Sequence, residues 1–285
     1  MKRLLLAVIC SMISCGAFAQ GYQKDTVFYR DNYEKCHMEV SYIKGAADKP
    51  VIVWFHGGGL TGGNAKTPQT LLKEDYLVFS VSYRLYPELS VREIIDDAAA
   101  AVAWVVKNAG EYGGAASKIY LSGHSAGGYL VSMLALDKSY LAKYDVDSDM
   151  FAGVIPLSGQ MITHFTERKS RGMGMTDVII DDMAPLNHLR ADAPPFLIVT
   201  GGRDMEMARR YEENAYFYEM MKFVGHKDIT LYELGGFNHV GMNKPGQQLL
   251  INYIKSRINL AKYEKDHYSQ YYLAHGSRKH CDSQA

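Results

Sequence analysis

A serine between two glycines, Gly123-His124-Ser125-Ala126-Gly127, directly follows an apolar run, Ile119-Tyr120-Leu121. It directly precedes a helix-compatible stretch, Tyr129 to Leu136. G-x-S-x-G at a strand-to-helix turn is an arrangement in which a serine hydroxyl can act as a nucleophile. The tight turn lifts Oγ out of a sheet, and residues without bulk two positions to either side permit the close approach. The helix beneath offers N–H donors and a positive dipole end to a developing oxyanion. Upstream, Phe55-His56-Gly57-Gly58-Gly59-Leu60 follows a second apolar run, Val51 to Phe55. Backbone N–H groups in such a loop can reach a substrate carbonyl oxygen with no Cβ in the way. With the N–H of Ala126 they complete an oxyanion hole. No G-x-x-x-x-G-K-[ST] pattern can be written through residues 57–67, which argues against a phosphate-binding loop.

A serine nucleophile needs a base, and the base needs an acid to orient it. In this architecture both follow later strands, in the chain order serine, acid, histidine. The strand-like run Pro195 to Thr200 is followed by Gly201-Gly202-Arg203-Asp204, and Ile229 to Glu233 by Gly235-Gly236-Phe237-Asn238-His239. Asp204 and His239 are therefore the expected acid and base. Asp192 and Glu206 lie less well after a strand, and His164, His188 and His226 read as surface or lid residues.

The elements that must position these groups alternate between strand-like and helix-like segments, as in a mostly parallel sheet with helices on both faces. Strands are expected over 36–43, 51–55, 77–81, 118–122, 151–157, 195–200 and 229–233. Continuous apolar runs such as Val51-Ile52-Val53-Trp54-Phe55 suit strands buried on both faces. Helices are expected over 91–106 and 207–223, with Gly225 as a C-cap, and from Pro245 to Ala261 with a stripe of Leu250, Ile254 and Ile258. A methionine-containing segment at 158–194 has no clean period and reads as a lid-like insertion. From Lys262 a polar, tyrosine-rich tail predicts a short helix followed by disorder.

HGGG at 56–59, Tyr83-Arg84-Leu85-Tyr86-Pro87-Glu88, GHSAG at 123–127, GGRD at 201–204 and the FNH ending at His239 together resemble the hormone-sensitive-lipase-like carboxylesterases and related small esterases. The resemblance runs from about Pro50 to Ala261. It implies an α/β-hydrolase fold around about eight strands, a Ser125, Asp204, His239 triad, and an oxyanion hole from Gly58, Gly59 and Ala126, with Gly57 a further candidate donor. Arg84 and Asp97 resemble a structural pair near the oxyanion loop of such enzymes. The chain departs from the family in its short stretch before HGGG, in His124 where an acidic residue is usual, and in Leu60 where an aromatic is often found. These features are closer to compact esterases and arylformamidases.

Composition agrees with a globular catalyst. The 285 residues are 47% hydrophobic, and 31 Lys plus Arg balance 31 Asp plus Glu. No net charge means no electrostatic case for nucleic acid or a membrane surface. No Cys/His cluster has zinc-site spacing, and no metal or organic cofactor is expected. Residues 1–19 read as a secretory signal: Lys2 and Arg3, the apolar stretch Leu4 to Ser14, then Ala17-Phe18-Ala19. That stretch is too short to span a bilayer. Ser14-Cys15 is a second processing candidate, with a lipid on Cys15. Domain limits are then 1–19 for the signal, 20–261 for the catalytic domain and 262–285 for the tail. Cys36 and Cys281 would remain, able to pair in an oxidising compartment.

The expected activity is hydrolysis of carboxylic esters with short acyl chains, acetylated carbohydrate included, by an exported serine esterase. An amidase, peptidase or arylformamidase on the same fold is the alternative. A silent binding protein on this scaffold is a further one, disfavoured by the intact set of catalytic residue types. The oligomeric state is left open.

Overall fold

The computed structural model describes residues 21–275, with side chains described to Tyr263. The signal segment, Cys15 and Cys281 lie outside the described residues. Along the chain run β1 (Gln23–Phe28), β2 (His37–Tyr42), β3 (Lys49–Phe55), β4 (Leu77–Val81), α1 (Val91–Asn108), β5 (Gly114–His124), α2 (Ala126–Leu136) and α3 (Lys138–Ala142). Then follow β6 (Gly153–Leu157), α4 (Phe165–Ser170), β7 (Phe196–Gly201), α5 (Arg210–Phe223), β8 (Ile229–Leu234) and α6 (Asn243–His275).

The strands form one eight-stranded sheet in the order β1-β2-β4-β3-β5-β6-β7-β8. β2 is antiparallel to both of its neighbours, and from β4 to β8 all pairing is parallel. Alternation along β3 explains why it reads as continuously apolar. Val51, Val53 and Phe55 join a core with α1, α2 and α5, while Ile52 and Trp54 join one with Leu250, Ile251 and Ile254 of α6. Each such side chain contributes about 1.5–3 kcal/mol on burial, so the two-sided run locks β3 centrally. The C-terminal ends of β3 and β5, side by side in register from Val51/Ile119 to Phe55/Gly123, bring HGGG and the serine turn to one edge of the sheet.

Several boundaries differ from those expected. β1 carries the polar sequence Gln-Lys-Asp-Thr-Val-Phe and is almost wholly exposed. An edge strand buries neither face fully, so it has no apolar signature. β5 starts at Gly114, where its register against β3 is irregular. α5 begins at Arg210 rather than Met207 because Arg209 adopts a left-handed φ of 66°. α6 begins at Asn243 and continues to His275, through the region expected to hold only a short helix before disorder. α1 starts on a capping box: Ser90 accepts from Glu93 N–H, and the Glu93 carboxylate accepts from Ser90 N–H at 2.9 Å.

Candidate active site

Ser125 occupies the one-residue joint between β5 and α2, at φ 57° and ψ −114°. Such backbone costs about 1–3 kcal/mol and persists only where the surroundings hold it. Here the N–H of Ser125 donates to Leu157 O at 2.8 Å, and the flanking glycines make contacts no side chain allows. A Cβ on Gly127 would lie 2.1 Å from Phe55 O, and one on Gly123 2.6 Å from the Gly127 carbonyl carbon. The G-x-S-x-G spacing is thus a packing requirement of the first turn of α2 against the ends of β3 and β5.

His239, on the loop between β8 and α6, completes the reach to the serine. Its Nε2 lies 2.8 Å from Ser125 Oγ and its Nδ1 2.5 Å from Glu206 Oε1. The carboxylate accepts a hydrogen bond from Nδ1–H, so Nε2 carries the lone pair that accepts from the serine hydroxyl.

The acid partner is Glu206, a correction to the expected Asp204. After β7 the chain turns sharply, with Gly202 O accepting from both Met205 N–H and Glu206 N–H at 2.8 Å. This turn leaves Asp204 exposed and carries the Glu206 side chain inward, where it is 1% exposed. Arg203 is likewise directed away, onto Glu233 at 2.7 Å. Glu206 Oε1 also accepts from Met207 N–H at 2.8 Å, while Oε2 accepts from Gly201 N–H at 3.0 Å and from the Ser158 hydroxyl. Burial alone would raise its pKa, but donation by His239, Ser158 and Met207 outweighs burial and lowers it to about 2. The distance after a strand could not discriminate between the two acids; only the backbone path of 202–206 does. The one signal in the sequence is that two acids, Asp204 and Glu206, fall in the loop after β7.

His124 joins the serine turn to the histidine loop. Its Nε2–H donates to His239 O at 2.8 Å, and the two rings stand 4.8 Å apart. Burial first, and then the neighbouring His239, lower its pKa to about 4. It is therefore a neutral donor near pH 7, where an acidic residue could not donate to a carbonyl.

The glycine loop is anchored through its carbonyls. His56 Nδ1–H donates to Gly57 O at 2.6 Å, and Gly58 O accepts from Thr61 N–H, Gly62 N–H and Thr61 Oγ1–H, each at 3.1 Å. In a trans peptide C=O and the following N–H point in opposite directions, so each anchored carbonyl aims the next N–H. The N–H groups of Gly58 and Gly59 have no protein acceptor among the described residues. Ala126 N–H is among the unpaired donors of the first turn of α2. Gly57 passes so close to the serine that a Cβ there would meet Ser125 Cβ at 3.3 Å. Gly58 and Gly59, with φ of 113° and 63°, use conformations that favour glycine. Behind the loop Tyr83 Oη–H donates to His56 O at 2.9 Å, and Tyr86 N–H donates to Leu60 O at 2.8 Å. Arg84 in turn forms a fork on fully buried Asp97, at 2.8 and 2.6 Å. That pair braces the 83–87 segment on α1.

From the 158–194 segment, α4 lies over the glycine loop. Thr166 Oγ1–H donates to Gly59 O at 2.5 Å, and a Cβ on Gly59 would lie 2.8 Å from Phe165 Cζ. His164 is buried, with its ring 4.4 Å from that of Phe165, and burial holds its pKa well below the usual value. His226 is also buried, its Nε2 3.0 Å from Ala193 O; neither is a surface residue. A cavity of about 430 Å³ opens over Ser125 and His239, walled by Gly57–Gly59 on one side and by Phe165, Met207 and Val240 on the other. Among the described residues no group of His, Cys, Asp or Glu could hold a metal ion, and no helix is long and apolar enough to cross a membrane. Cys36 is buried, 3.6 Å from Asp97, with no disulfide partner among the described residues.

Comparison with known proteins finds esterases among those this chain is similar to. Residues 38–211 match the family model described as BD-FAE. Esterase LipC of Mycobacterium tuberculosis is 27% identical over 204 residues, 65% of this chain and 50% of its own length. Carboxylesterase NlhH of the same species is 41% identical over 91 residues, 30% of this chain and 28% of its own. The chain thus spans about half or less of these curated relatives. Among solved structures, a truncated carbohydrate esterase from gut microbiota superimposes with a TM-score of 0.67 at 19% identity, covering 84% of this chain and 98% of that one. Esterase B of Lactobacillus rhamnosis gives 0.70 at 16% identity, covering 87% and 91%. At these identities the likeness establishes the α/β-hydrolase fold.

Proposed function

We propose that this chain, which belongs to the BD-FAE family, hydrolyses carboxylic esters with Ser125 as nucleophile, His239 as general base and acid, and Glu206 as the orienting carboxylate. The observation that carries the reading is the unbroken run Ser125 Oγ–His239 Nε2 and Nδ1–Glu206 Oε1, at 2.8 and 2.5 Å, beneath a loop of anchored carbonyls.

Ser125 Oγ attacks the ester carbonyl carbon as its proton passes to His239 Nε2. The oxyanion is met by the N–H groups of Gly58, Gly59 and Ala126. Collapse breaks the bond to the leaving oxygen, which takes the proton from Nε2, and the acyl group stays on Ser125. Water repeats the sequence with His239 as base and releases the carboxylic acid. Glu206 remains ionised throughout, since four donors hold its charge.

Short acyl groups, acetylated carbohydrate among the substrates, and a site of action outside the cytoplasm complete the proposal. The basic start, apolar stretch and Ala17-Phe18-Ala19 support export, with Cys15 a candidate for lipid attachment. Fluorophosphonate labelling tests the chemistry: one probe per chain is expected on wild type and none on Ser125→Ala. A wild-type protein that neither labels nor hydrolyses 4-nitrophenyl acetate overturns the reading.

A further inference from the structure

The donors that converge on the Glu206 carboxylate differ in where they come from. Gly201 and Met207 give backbone N–H groups from the same strand end and turn as Glu206 itself, and His239 is the group the carboxylate serves. The Ser158 hydroxyl arrives instead from the end of a different strand, β6, onto Oε2. Whatever fixes Ser158 therefore ties the carboxylate to the rest of the sheet.

Ser158 is fully buried and holds φ at 51°, a left-handed conformation that a residue with a Cβ keeps only under constraint. Its N–H donates to Val199 O at 2.7 Å, and its carbonyl accepts from Arg210 Nη1–H at 2.6 Å. The next residue is pressed onto α2, where a Cβ on Gly159 would lie 2.8 Å from the Gly128 carbonyl carbon. Arg210 is the first residue of α5, and the same face of that helix extends the grip along the chain. Asn214 Nδ2–H donates to Gly159 O at 2.8 Å, and Glu213 Oε2 accepts from Met161 N–H at 3.1 Å. Spacings of three and four set these side chains on one side of the helix.

Arg210 is the expensive member of the set. It is 3% exposed, and a cation so buried is unfavourable unless carboxylates face it. Glu213 is not a close partner: its Oε2 lies 3.8 Å from Arg210 Nε, and that Nε makes no hydrogen bond among the described residues. The charges that favour the cation are those of Glu213 and Glu206, while Arg168 opposes it. The guanidinium thus bonds to Ser158, and one of its two counter-charges is the carboxylate that Ser158 touches.

We propose that Arg210 is a positioning residue for the reaction: it holds Ser158 in the conformation that aims its hydroxyl at Glu206, and so orients the carboxylate that selects the His239 tautomer. The inference rests on the esterase reading above and adds to it a residue that does not line the cavity over Ser125. Without the Arg210 donor, Ser158 is free to leave the left-handed region and takes its hydroxyl with it. Glu206 Oε2 then keeps the Gly201 N–H alone, and the carboxylate can turn away from His239 Nδ1. The loss falls on proton transfer in the transition state, so it is read in kcat and not in KM.

The test is a double-mutant cycle on 4-nitrophenyl acetate hydrolysis, with kcat expressed per active site counted by exhaustive fluorophosphonate labelling. Ser158→Ala and Arg210→Met are each expected to lower kcat by about tenfold or more, the scale of one hydrogen bond to a charged group, with KM little changed. The double variant is expected to match the weaker single variant within about twofold, because both substitutions remove the same contact. Arg210→Lys keeps a cationic donor one atom shorter, and is expected to exceed Arg210→Met in kcat by roughly threefold. Should Arg210→Met not fold, Arg210→Gln replaces it, since its amide is two atoms too short for Ser158 O. Wild-type kcat in the Arg210 variants, effects that multiply in the double variant, a loss confined to KM, or no gain from lysine each overturns the positioning role and leaves the esterase standing. A wild-type protein that cleaves no ester removes the esterase reading, and the role of Arg210 with it.

Discussion

Glu206 Oε1 stands 2.5 Å from His239 Nδ1, while Asp204, two residues earlier in the same turn, faces solvent. Glu206→Gln keeps the size of the side chain but removes the charge that selects the histidine tautomer. We predict a fall in kcat of about 10³–10⁴-fold, with Asp204→Asn within about twofold of wild type. Steady-state hydrolysis of 4-nitrophenyl acetate by both variants checks this, and the reverse ranking would restore Asp204 as the acid.

His124 makes stability depend on pH in a defined window. Its folded pKa of about 4 lies below the ordinary histidine value of about 6.5. Below pH 6.5 the unfolded chain binds a proton that the folded chain refuses, so stability falls as pH drops toward 4 and the loss levels off beneath it. Folding free energy from urea melts at pH 7 and pH 4.5 should differ less for His124→Gln than for wild type. An identical drop in both proteins rules the histidine out as the source.

Glu206 acts in a lower window. Its pKa of about 2 lies below the ordinary glutamate value of about 4.5, so its stabilisation is complete above about pH 4.5 and disappears as pH falls through 2. The stability gap between wild type and Glu206→Gln is expected to narrow between pH 5 and pH 2, which acid-titrated unfolding monitored by circular dichroism can follow. A gap that holds constant to pH 2 contradicts the assignment.

Thr166 ties the α4 segment to the oxyanion loop through Gly59 O. Thr166→Val removes one neutral hydrogen bond, in the range of about 0.5–1.5 kcal/mol, from a loop whose N–H groups act on the transition state. The expected result is a drop in kcat of up to about tenfold with KM little changed. A change confined to KM would mean that the contact shapes the pocket rather than the oxyanion hole.

Asp97 is fully buried between Arg84 and Arg30. Asp97→Ala leaves two cations without their shared carboxylate, and losing one partner of a buried pair costs about 3–5 kcal/mol. Thermal unfolding should register this as a large fall in Tm, whereas retention of the wild-type Tm would show that the pair is dispensable.

Much of this protein was legible along the chain because the controlling interactions are local or periodic. The apolar run Val51–Phe55 marks a strand buried on both faces, and the glycines around Ser125 mark a turn that no larger residue permits. The HGGG loop after β3, and a histidine after β8, follow from the same rule of loops at strand ends. What the chain order left undecided depended on backbone path and on neighbours distant in sequence. The polar strand β1 is identified only by its partner β2, since an edge strand needs no apolar face. Asp204 and Glu206 are chemically alike and two residues apart, and the turn at Gly202 together with donors from Ser158 and Gly201 decides which one is buried. The role of His124 likewise appears only when the loop of His239 folds back to within 2.8 Å of it. Residue types set which chemistry was available at Ser125; tertiary packing selected the acid that serves it.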